Sequence, residues 1–184
     1  MILTNKSDIL IIFTDAATSP TSKISVGVYL ALNQDNLIQY SQLSPEVLFK
    51  EVADKIFYTK YESKKSTWSE IKTVIDALDA VHDNGCHHFK IEIYTDCQSL
   101  CDLLNKRKEK LEKNNFLTKS GKVHPNIVLY KELFLAADKF EVKTYKVKGH
   151  SPSGSRITIQ EKIFGILDKL SRKRLRLIVN GLVM

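Results

Sequence analysis

The first forty residues contain apolar patterns that predict β-strands. Residues 8–15 hold a short, continuous apolar run rich in β-branched side chains, which is typical of a strand buried on both faces. Residues 23–33 and 36–41 are predicted to form a hairpin, because alternate positions of the first segment are apolar and residues 33–36 carry turn-forming side chains. Three antiparallel strands are therefore expected first.

Residues 42–65 have a less regular pattern and are interpreted as an insertion. Within them, residues 45–55 can form a short helix and residues 57–61 an extended segment. The chain shows no internal repeat and no linker-like composition, so residues 1–184 are predicted to form one domain.

The pattern becomes helical at residue 67, with apolar side chains at spacings of three and four until Asn84 and Gly85 end it. Further along, the pattern predicts a strand over 89–93, a helix from Gln98 through a basic cluster, a helix from Pro125, a strand over 142–147, a loop over 149–155 and a helix over 158–176. This order, βββαβααβα, predicts an α/β fold with a five-stranded mixed sheet and helices on both faces. Residues 177–184 would follow as an apolar tail.

Composition indicates a globular protein with an excess of positive charge. The 184 residues are 43% hydrophobic and 27% charged, with only 7 Gly and 4 Pro, which excludes collagen-like and wholly disordered chains. No apolar run approaches the roughly 20 residues of a transmembrane helix, and no secretory leader is recognisable. A cytoplasmic protein with free thiols and no membrane partner is therefore expected. The net charge of +7 favours a polyanionic partner.

Two acids end hydrophobic strands in nearly the same context, Phe13-Thr14-Asp15 and Tyr94-Thr95-Asp96. A carboxylate at such a place is unfavourable unless it is solvated, paired or bound to a cation. If the two strands are parallel neighbours, they lie about 4.8 Å apart and their terminal carboxylates can share a hard cation. The alternative is that each acid forms a turn or caps a helix.

Glu70 is a third candidate, with two roles open to it. Thr67-x-x-Glu70 is the pattern of a capping box, in which the glutamate accepts a hydrogen bond at the start of the helix. Glu70 also lies at the edge of the apolar stripe, so its side chain can instead point to the end of the sheet.

Five segments, taken in chain order, resemble the type 1 ribonuclease H family. They are Phe-Thr-Asp15 on the first strand, Ser-Thr-Trp-Ser-Glu70 opening the first long helix, Tyr-Thr-Asp96-Cys-Gln-Ser, Val-Lys-Gly-His150-Ser after the fifth strand, and Leu-Asp168-Lys-Leu-Ser-Arg on the last helix. The resemblance spans about residues 9–176 and implies a ribonuclease H-like fold.

The resemblance also implies a reaction. In that family four acids hold two Mg²⁺ ions, which promote hydrolysis of the RNA strand of an RNA–DNA hybrid; Mn²⁺ is a possible substitute. Asp15 would bridge the ions, Glu70 and Asp96 would complete one site, and Asp168 the other. His150 would assist proton transfer or product departure. The resemblance thus implies a metal-dependent endonuclease whose partner is a hybrid duplex, and a monomer is expected.

The spacing of the last acid departs from the family pattern. Asp168 follows His150 by 18 positions, which is more than is usual in the family, and Glu161 is therefore a rival for the fourth ligand. The motif around Asp168 favours that residue. The alternative for Asp168 is a salt bridge with Arg172, four residues on, along an exposed helix face.

Several positions are candidates for binding the nucleic acid. Ser66 and Thr67 stand where the family often has an Asn or Gln that reads the RNA 2′-hydroxyl, and residues 16–23 lack the usual glycine-rich turn. A basic cluster falls where some members carry a protrusion that grips the hybrid. It comprises Lys106, Arg107, Lys108 and Lys110.

Two other functions stay open beside the nuclease. One is a catalytically inactive nucleic-acid-binding module of the same fold, and the other is a relative that transfers DNA strands or cuts DNA junctions. A zinc site is excluded, because the extended strand between His88 and Asp96 separates Cys86 and His88 from Cys97 and Cys101 by roughly 26 Å.

Overall fold

A five-stranded mixed sheet lies at the centre of the computed structural model, which describes residues 9–63, 65–85, 90–149 and 156–183. The described elements, in chain order, are β1 (Ile9–Ser19), β2 (Ile24–Asn33), α1 (Gln34–Ser41), α2 (Pro45–Ala53), β3 (Phe57–Tyr61), α3 (Ser66–Asp83), β4 (Lys90–Thr95), α4 (Gln98–Asp102), a π-helical turn (Leu103–Arg107), α5 (Lys108–Lys113), α6 (Ile127–Ala137), β5 (Glu141–Lys146) and α7 (Ile159–Val179). The predicted fold class, a mixed sheet between helices, is confirmed.

The strand order β3-β2-β1-β4-β5 brings the two acid-bearing strands side by side. β3, β2 and β1 are antiparallel, whereas β1, β4 and β5 run parallel. Pairing of β1 with β4 stops at Phe13, opposite Tyr94, although β1 continues to Ser19. Asp15 therefore lies just beyond the last β1–β4 pair, where β4 no longer covers the edge of β1.

Each face of the sheet carries its own hydrophobic core. Ile12 of β1 and Ile93 of β4 pack under α3, α4 and α6. Phe13 of β1 and Val28 of β2 pack on the other face, under α1, α2 and α7. Alternate side chains of β1 thus enter opposite cores, which explains why its first five positions, residues 9–13, are all apolar.

The predicted second strand of the hairpin is wrong: Asn36–Ser41 lies within helix α1. Asn33 has a turn-forming side chain, but that side chain caps the helix, since its carbonyl oxygen accepts a hydrogen bond from the Asn36 backbone N–H at 2.7 Å. Leu37 and Tyr40, three residues apart, are then buried on one helix face. A turn signal and a helix cap use the same residue types, so the sequence pattern did not distinguish them.

The third strand comes instead from the stretch interpreted as an insertion. β3 pairs with β2 and forms one edge of the sheet, and α2 packs against α7. The short helix and the extended segment predicted there are both present. The extended segment is an edge strand of the sheet, and the helix packs against α7. The helix predicted from Pro125 begins at Ile127, and the predicted apolar tail overlaps the last turn of α7.

The chain from Gln98 to Lys113 is helical throughout, as predicted, but it contains the π-helical turn. Within that turn, the Asn105 side-chain amide donates to the Thr144 backbone carbonyl of β5 at 3.2 Å. This contact ties the middle of the helical stretch to the sheet edge. In the described ranges, no helix has the length and apolarity that a membrane span requires.

Candidate active site

Three carboxylates from three separate elements meet at the end of the sheet. Asp15 comes from β1, Glu70 from α3, and Asp96 from the residue after β4. Each offers an oxygen, and these oxygens all lie within 4.8 Å of one another. The parallel pairing of β1 and β4 accounts for the approach of the two aspartates, as the sequence predicted.

Asp15 is buried, with 5% of its surface exposed, and is anchored from α7. The Ser171 hydroxyl donates a hydrogen bond to Asp15 Oδ2 at 2.5 Å. The pKa of Asp15 is raised to about 7: burial is the largest cause, the Asp96 and Asp168 carboxylates also raise it, and the Ser171 hydrogen bond and the Arg172 guanidinium lower it. A bound cation would therefore stabilise the ionised form of this carboxyl group.

Glu70 does not form a capping box, which was one of the two roles that the sequence left open for it. Helix α3 begins at Ser66, its N-cap residue is Lys65, and no side chain caps it. Glu70 is buried instead, and its Oε2 has no hydrogen-bond partner in the described part of the chain. Burial raises the pKa of Glu70 well above its usual range, and the neighbouring Asp15 and Asp96 carboxylates add to the shift.

Asp96 is half-buried and lies against Gly149 of the loop after β5. A Cβ at Gly149 would overlap the Asp96 carboxylate, so only glycine lets this loop pass so close. The next residue, the candidate His150, lies outside the described residues. The chain that leads to it nevertheless passes directly over the acid cluster.

Asp168 lies on the opposite wall, on α7, and is not part of the three-oxygen group. It pairs with Arg172 as the sequence suggested, but the pair is not on an exposed face, because Asp168 is buried. The Arg172 guanidinium also donates to the Asp168 backbone carbonyl at 3.1 Å. Asp168 therefore lines the same cleft as the acid cluster and is paired there with Arg172.

Glu161, the rival for the fourth acid, serves as a helix cap. Its carboxylate accepts hydrogen bonds from the backbone N–H groups of Ile157 at 2.8 Å and Thr158 at 3.0 Å. The Thr158 hydroxyl in turn accepts from the Glu161 N–H, which completes a capping box. These backbone hydrogen bonds lower the pKa of Glu161. Its carboxylate is thus committed to the start of α7.

The acids lie in an open cleft of about 940 Å³. Ser66 and Thr67, at the start of α3, line one side, as expected of residues that contact a substrate. Cations line the α7 side. They are Arg156, Lys169, Arg172 and Arg176. An acidic floor beside a basic wall can hold cations and phosphates at neighbouring positions.

The predicted basic cluster lies outside this cleft. Lys106, Arg107 and Lys110 are exposed and available to a partner. Lys108 points elsewhere, because its ammonium group pairs with Asp138 and lies 5.6 Å from the centre of the Phe134 ring. Three of the four predicted residues therefore present their charge to solvent.

The three converging carboxylates fit a hard divalent cation. Mg²⁺ prefers oxygen ligands and is commonly held by a few carboxylates together with water. The buried Glu70 oxygen without a partner is the kind of donor that a metal ion would satisfy. The donor set is therefore compatible with Mg²⁺ or Mn²⁺.

Two contributors to the site were not recognised in the sequence. Ser171 lies one helical turn after Asp168, and that spacing is a signal that could have identified it. Arg156 follows a glycine- and serine-containing loop with no local pattern that marks it. Its place in the cleft emerges only from the packing of its side chain against Gly165 of α7.

Comparison with known proteins places this arrangement in a family. A sequence model described as RNase H matches residues 7–158. The match covers Asp15, Glu70 and Asp96 and ends before Asp168. No curated protein matches the chain.

Solved structures share the fold at low sequence identity. LC9-RNase H1, a type 1 RNase H with the type 2 active-site motif, has a TM-score of 0.62 at 13% identity, over 95% of this chain and 74% of that one. The N-terminal RNase H domain of a Mycobacterium tuberculosis protein, fused to maltose-binding protein, gives 0.57 at 12% identity, over 95% and 99%.

A foamy viral protease–reverse transcriptase in complex with an RNA/DNA hybrid gives a TM-score of 0.60 at 14% identity. The aligned region is 90% of this chain but only 19% of the viral one, so this chain spans about a fifth of that protein's length. These likenesses show a common fold. Together with the sequence model, which matches most of the residues, they establish that the chain belongs to the RNase H family.

Proposed function

We propose that the protein is a metal-dependent endonuclease that hydrolyses the RNA strand of RNA–DNA hybrids. The observation that carries the proposal is the convergence of the Asp15, Glu70 and Asp96 oxygens within 4.8 Å, in a chain of the RNase H family. The choice of a hybrid substrate is supported by the structural likeness to a viral protein solved with an RNA/DNA hybrid.

In this proposal the metal is Mg²⁺, with Mn²⁺ as a substitute, and two ions are held. Asp15 contributes to both positions, Glu70 and Asp96 complete one, and Asp168 completes the other. When bound, the ions lower the pKa of the attacking water and stabilise charge on the leaving oxygen. Arg172 pairs with Asp168 in this structure, so a cation at the second position would compete with Arg172 for that carboxylate.

The chain's own residues prepare the site in distinct ways. The Ser171 hydroxyl of α7 holds one oxygen of Asp15, which would leave the other oxygen for a cation. Glu70 is buried, and its Oε2 has no hydrogen-bond partner among the described residues. In the proposal, His150 approaches from the loop after Gly149 and assists a proton transfer or the departure of the product.

Recognition of the duplex is assigned to two sets of residues. The Ser66 and Thr67 hydroxyls at the cleft edge can donate to or accept from a 2′-hydroxyl, which distinguishes RNA from DNA. The exposed Lys106, Arg107 and Lys110 bind backbone phosphates at a distance from the cleft, in a salt-sensitive way.

The proposal is tested with an end-labelled RNA–DNA hybrid incubated with Mg²⁺, with Mn²⁺ and with chelator, beside double-stranded DNA, double-stranded RNA and single strands. We expect metal-dependent cutting of the RNA strand of the hybrid alone. Cutting of double-stranded DNA or of DNA junctions in preference to the hybrid would support a DNA-processing enzyme instead.

Asp15→Asn provides the matched variant for this assay. The substitution keeps the shape of the side chain but removes the charge that both metal positions use, so cleavage is expected to disappear while hybrid binding stays measurable. Binding is followed by fluorescence anisotropy with chelator present. Equal loss of binding and cleavage would contradict the assignment of Asp15 as a metal ligand.

A second candidate function is a catalytically inactive module that binds nucleic acid. The observation in its favour is the ion pair between Arg172 and Asp168, which engages the carboxylate needed for the second ion. In that case the wild-type protein would bind the hybrid but cut it with neither Mg²⁺ nor Mn²⁺. Metal-dependent cleavage by the wild-type protein eliminates this candidate.

A further inference from the structure

Helix α7 contains a glycine in its buried middle, and an arginine side chain fills the space above it. Gly165 is one of the buried residues of α7. A Cβ at this position would overlap the guanidinium group of Arg156. Glycine destabilises a helix interior relative to alanine, so its presence here calls for a packing reason. The Arg156 guanidinium occupies the space that a side chain at position 165 would need, and we call this position of Arg156 its seat.

The seat directs Arg156 into the cleft that holds the acids. Arg156 and Gly165 line the same cleft as Asp15 and Asp168. The Arg156 side chain comes from the chain preceding α7, whereas the other cations of this wall project from the helix itself. Arg156 therefore reaches the cleft from a separate direction, and the helix surface at Gly165 limits where its guanidinium can lie.

Other cations line the same cleft beside Arg156. Among them, Arg172 pairs with Asp168, and the Lys169 ammonium lies 5.4 Å from the centre of the Phe49 ring. A negatively charged backbone that enters a cleft floored by carboxylates needs cations nearby to offset the repulsion. A guanidinium held on a helix surface has the planar, forked geometry that suits a phosphate group.

We propose that Arg156, seated against Gly165, binds a backbone phosphate of the cleaved strand, next to the phosphate that reaches the three acids. This inference rests on the proposed nuclease function and assigns a substrate-binding residue to it. Gly165 has no functional group of its own. Its role is to leave room for Arg156.

The seat makes a specific test possible, because the two positions can be changed independently. Arg156→Ala removes the guanidinium, and Gly165→Ala displaces it by adding one methyl group where the flexible end of Arg156 now lies. Arg156→Lys retains a charge without the fork. Lys162→Ala is the matched control, since Lys162 is an exposed cation of the same helix that does not line the cleft.

Binding of a fluorescent RNA–DNA hybrid is measured by anisotropy with chelator, between about 50 and 200 mM salt. We expect Arg156→Ala and Gly165→Ala each to weaken binding about five- to tenfold, and the double variant to be no weaker than either single one. The slope of log affinity against log salt should fall by about 0.7–0.9 in each, as for one lost phosphate contact. Lys162→Ala should change affinity less than about twofold.

Thermal unfolding separates this effect from damage to the fold. Gly165→Ala should unfold at the wild-type temperature or above it, because alanine favours a helix. Wild-type affinity in Gly165→Ala, or an unchanged salt slope in Arg156→Ala, would overturn the proposal and make Arg156 a structural contact. Arg156→Lys should recover part of the affinity.

The outcome is independent of whether the protein cuts. Mg²⁺ titration by calorimetry, without nucleic acid, should be the same in Gly165→Ala and wild type, because the three acids are untouched. If the wild type does not cleave but the binding losses appear, the nuclease function fails and the Arg156 contact stands as a nucleic-acid contact. If the wild type cleaves and Gly165→Ala has an unchanged KM, the Arg156 contact fails and the nuclease function stands.

Discussion

Helices α3 and α7 begin with the same Thr-x-x-Glu pattern, and the two glutamates have opposite surroundings. At α7, Thr158 and Glu161 form a capping box with the backbone. At α3, Thr67 and Glu70 make no such contact, and Glu70 is buried with an oxygen that lacks a partner in the described part of the chain. Backbone hydrogen bonds lower the pKa of Glu161, whereas burial raises that of Glu70.

The difference arises from where each helix starts. α7 begins at Ile159, directly after its threonine cap, which puts Glu161 in the first turn and within reach of the free backbone N–H groups. α3 begins at Ser66, before its threonine, so Glu70 lies two positions further into its helix than Glu161 does and points to the acid cluster. The capping pattern thus stabilises the start of α7, whereas at α3 the same pattern places Glu70 in a buried position that is unfavourable for a carboxylate.

The largest expected difference between the two glutamates is in catalysis. Glu70→Gln should slow single-turnover cleavage of the hybrid by at least about 10³-fold, since it removes a charge from the metal position. Glu161→Gln should leave the rate within about threefold of wild type, because Glu161 contacts only the helix start. Comparable losses in both variants would show that Glu70 has no special role.

The next difference concerns pH and metal. The unfolded chain releases the Asp15 proton near pH 3.8, whereas the folded protein holds it up to about pH 7. The folded state therefore binds more protons in that window, and the metal-free protein should lose stability as pH rises through it. Glu70 acts in the same direction. The contribution of Glu161, whose pKa is lowered, is instead lost only in acid.

Thermal unfolding followed by circular dichroism checks this dependence. With chelator, the Tm should fall between about pH 5 and pH 8, and Mg²⁺ should raise it more at the higher pH. Asp15→Asn combined with Glu70→Gln should remove both the slope and the response to Mg²⁺. A metal-free stability that is constant or rises through the window would contradict the assigned environment of these acids.

A smaller effect of opposite sign is expected in the stability of the glutamine variants. At about pH 8 without metal, Glu70→Gln should stabilise the protein, because the amide removes the cost of burying an ionisable carboxyl group. Glu161→Gln should destabilise it, because it weakens the capping box. Urea unfolding measures both. If both variants changed the free energy of unfolding in the same direction, the proposed difference between Glu70 and Glu161 would be contradicted.

The smallest effect distinguishes the two threonines. Thr158→Ala should lower the free energy of unfolding by about 1 kcal/mol, as expected for loss of an N-cap. Thr67→Ala should lower it by less than about 0.5 kcal/mol, since its side chain does not cap α3. Chemical denaturation of the two variants in parallel checks this, and a larger loss for Thr67→Ala would mean that α3 has a cap in solution.

Much of the architecture could be predicted from the sequence because strong periodic signals carry it. The continuous apolar run of β1, the helical stripe of α3 and the acids after Phe13-Thr14 and Tyr94-Thr95 are local features that the structure retains. The family resemblance is confirmed by the RNase H match. What failed was one choice between two uses of a signal, Asn33 as a turn or as a helix cap. For Glu70 the sequence left a cap and a cation ligand open, and the structure shows no cap.

The remaining features depend on contacts between distant parts of the chain. Ser171 reaches Asp15 across 156 positions, and no local pattern links the two. The contact between Arg156 and Gly165 forms only in the folded protein, where the residue that precedes α7 packs against the middle of that helix. The third strand, β3, has exposed aromatic residues and little alternation, so its pairing with β2 decides its conformation.

The π-helical turn at Leu103–Arg107 contains one residue more than the corresponding turn of an α-helix. Deleting a single residue there would restore a regular helix while turning everything after it by about 100° around the axis. Lys110 would move to a different side, and Lys108 would leave Asp138. Length variation at this one turn could therefore redirect the basic cluster in related chains without altering the sheet or the acids.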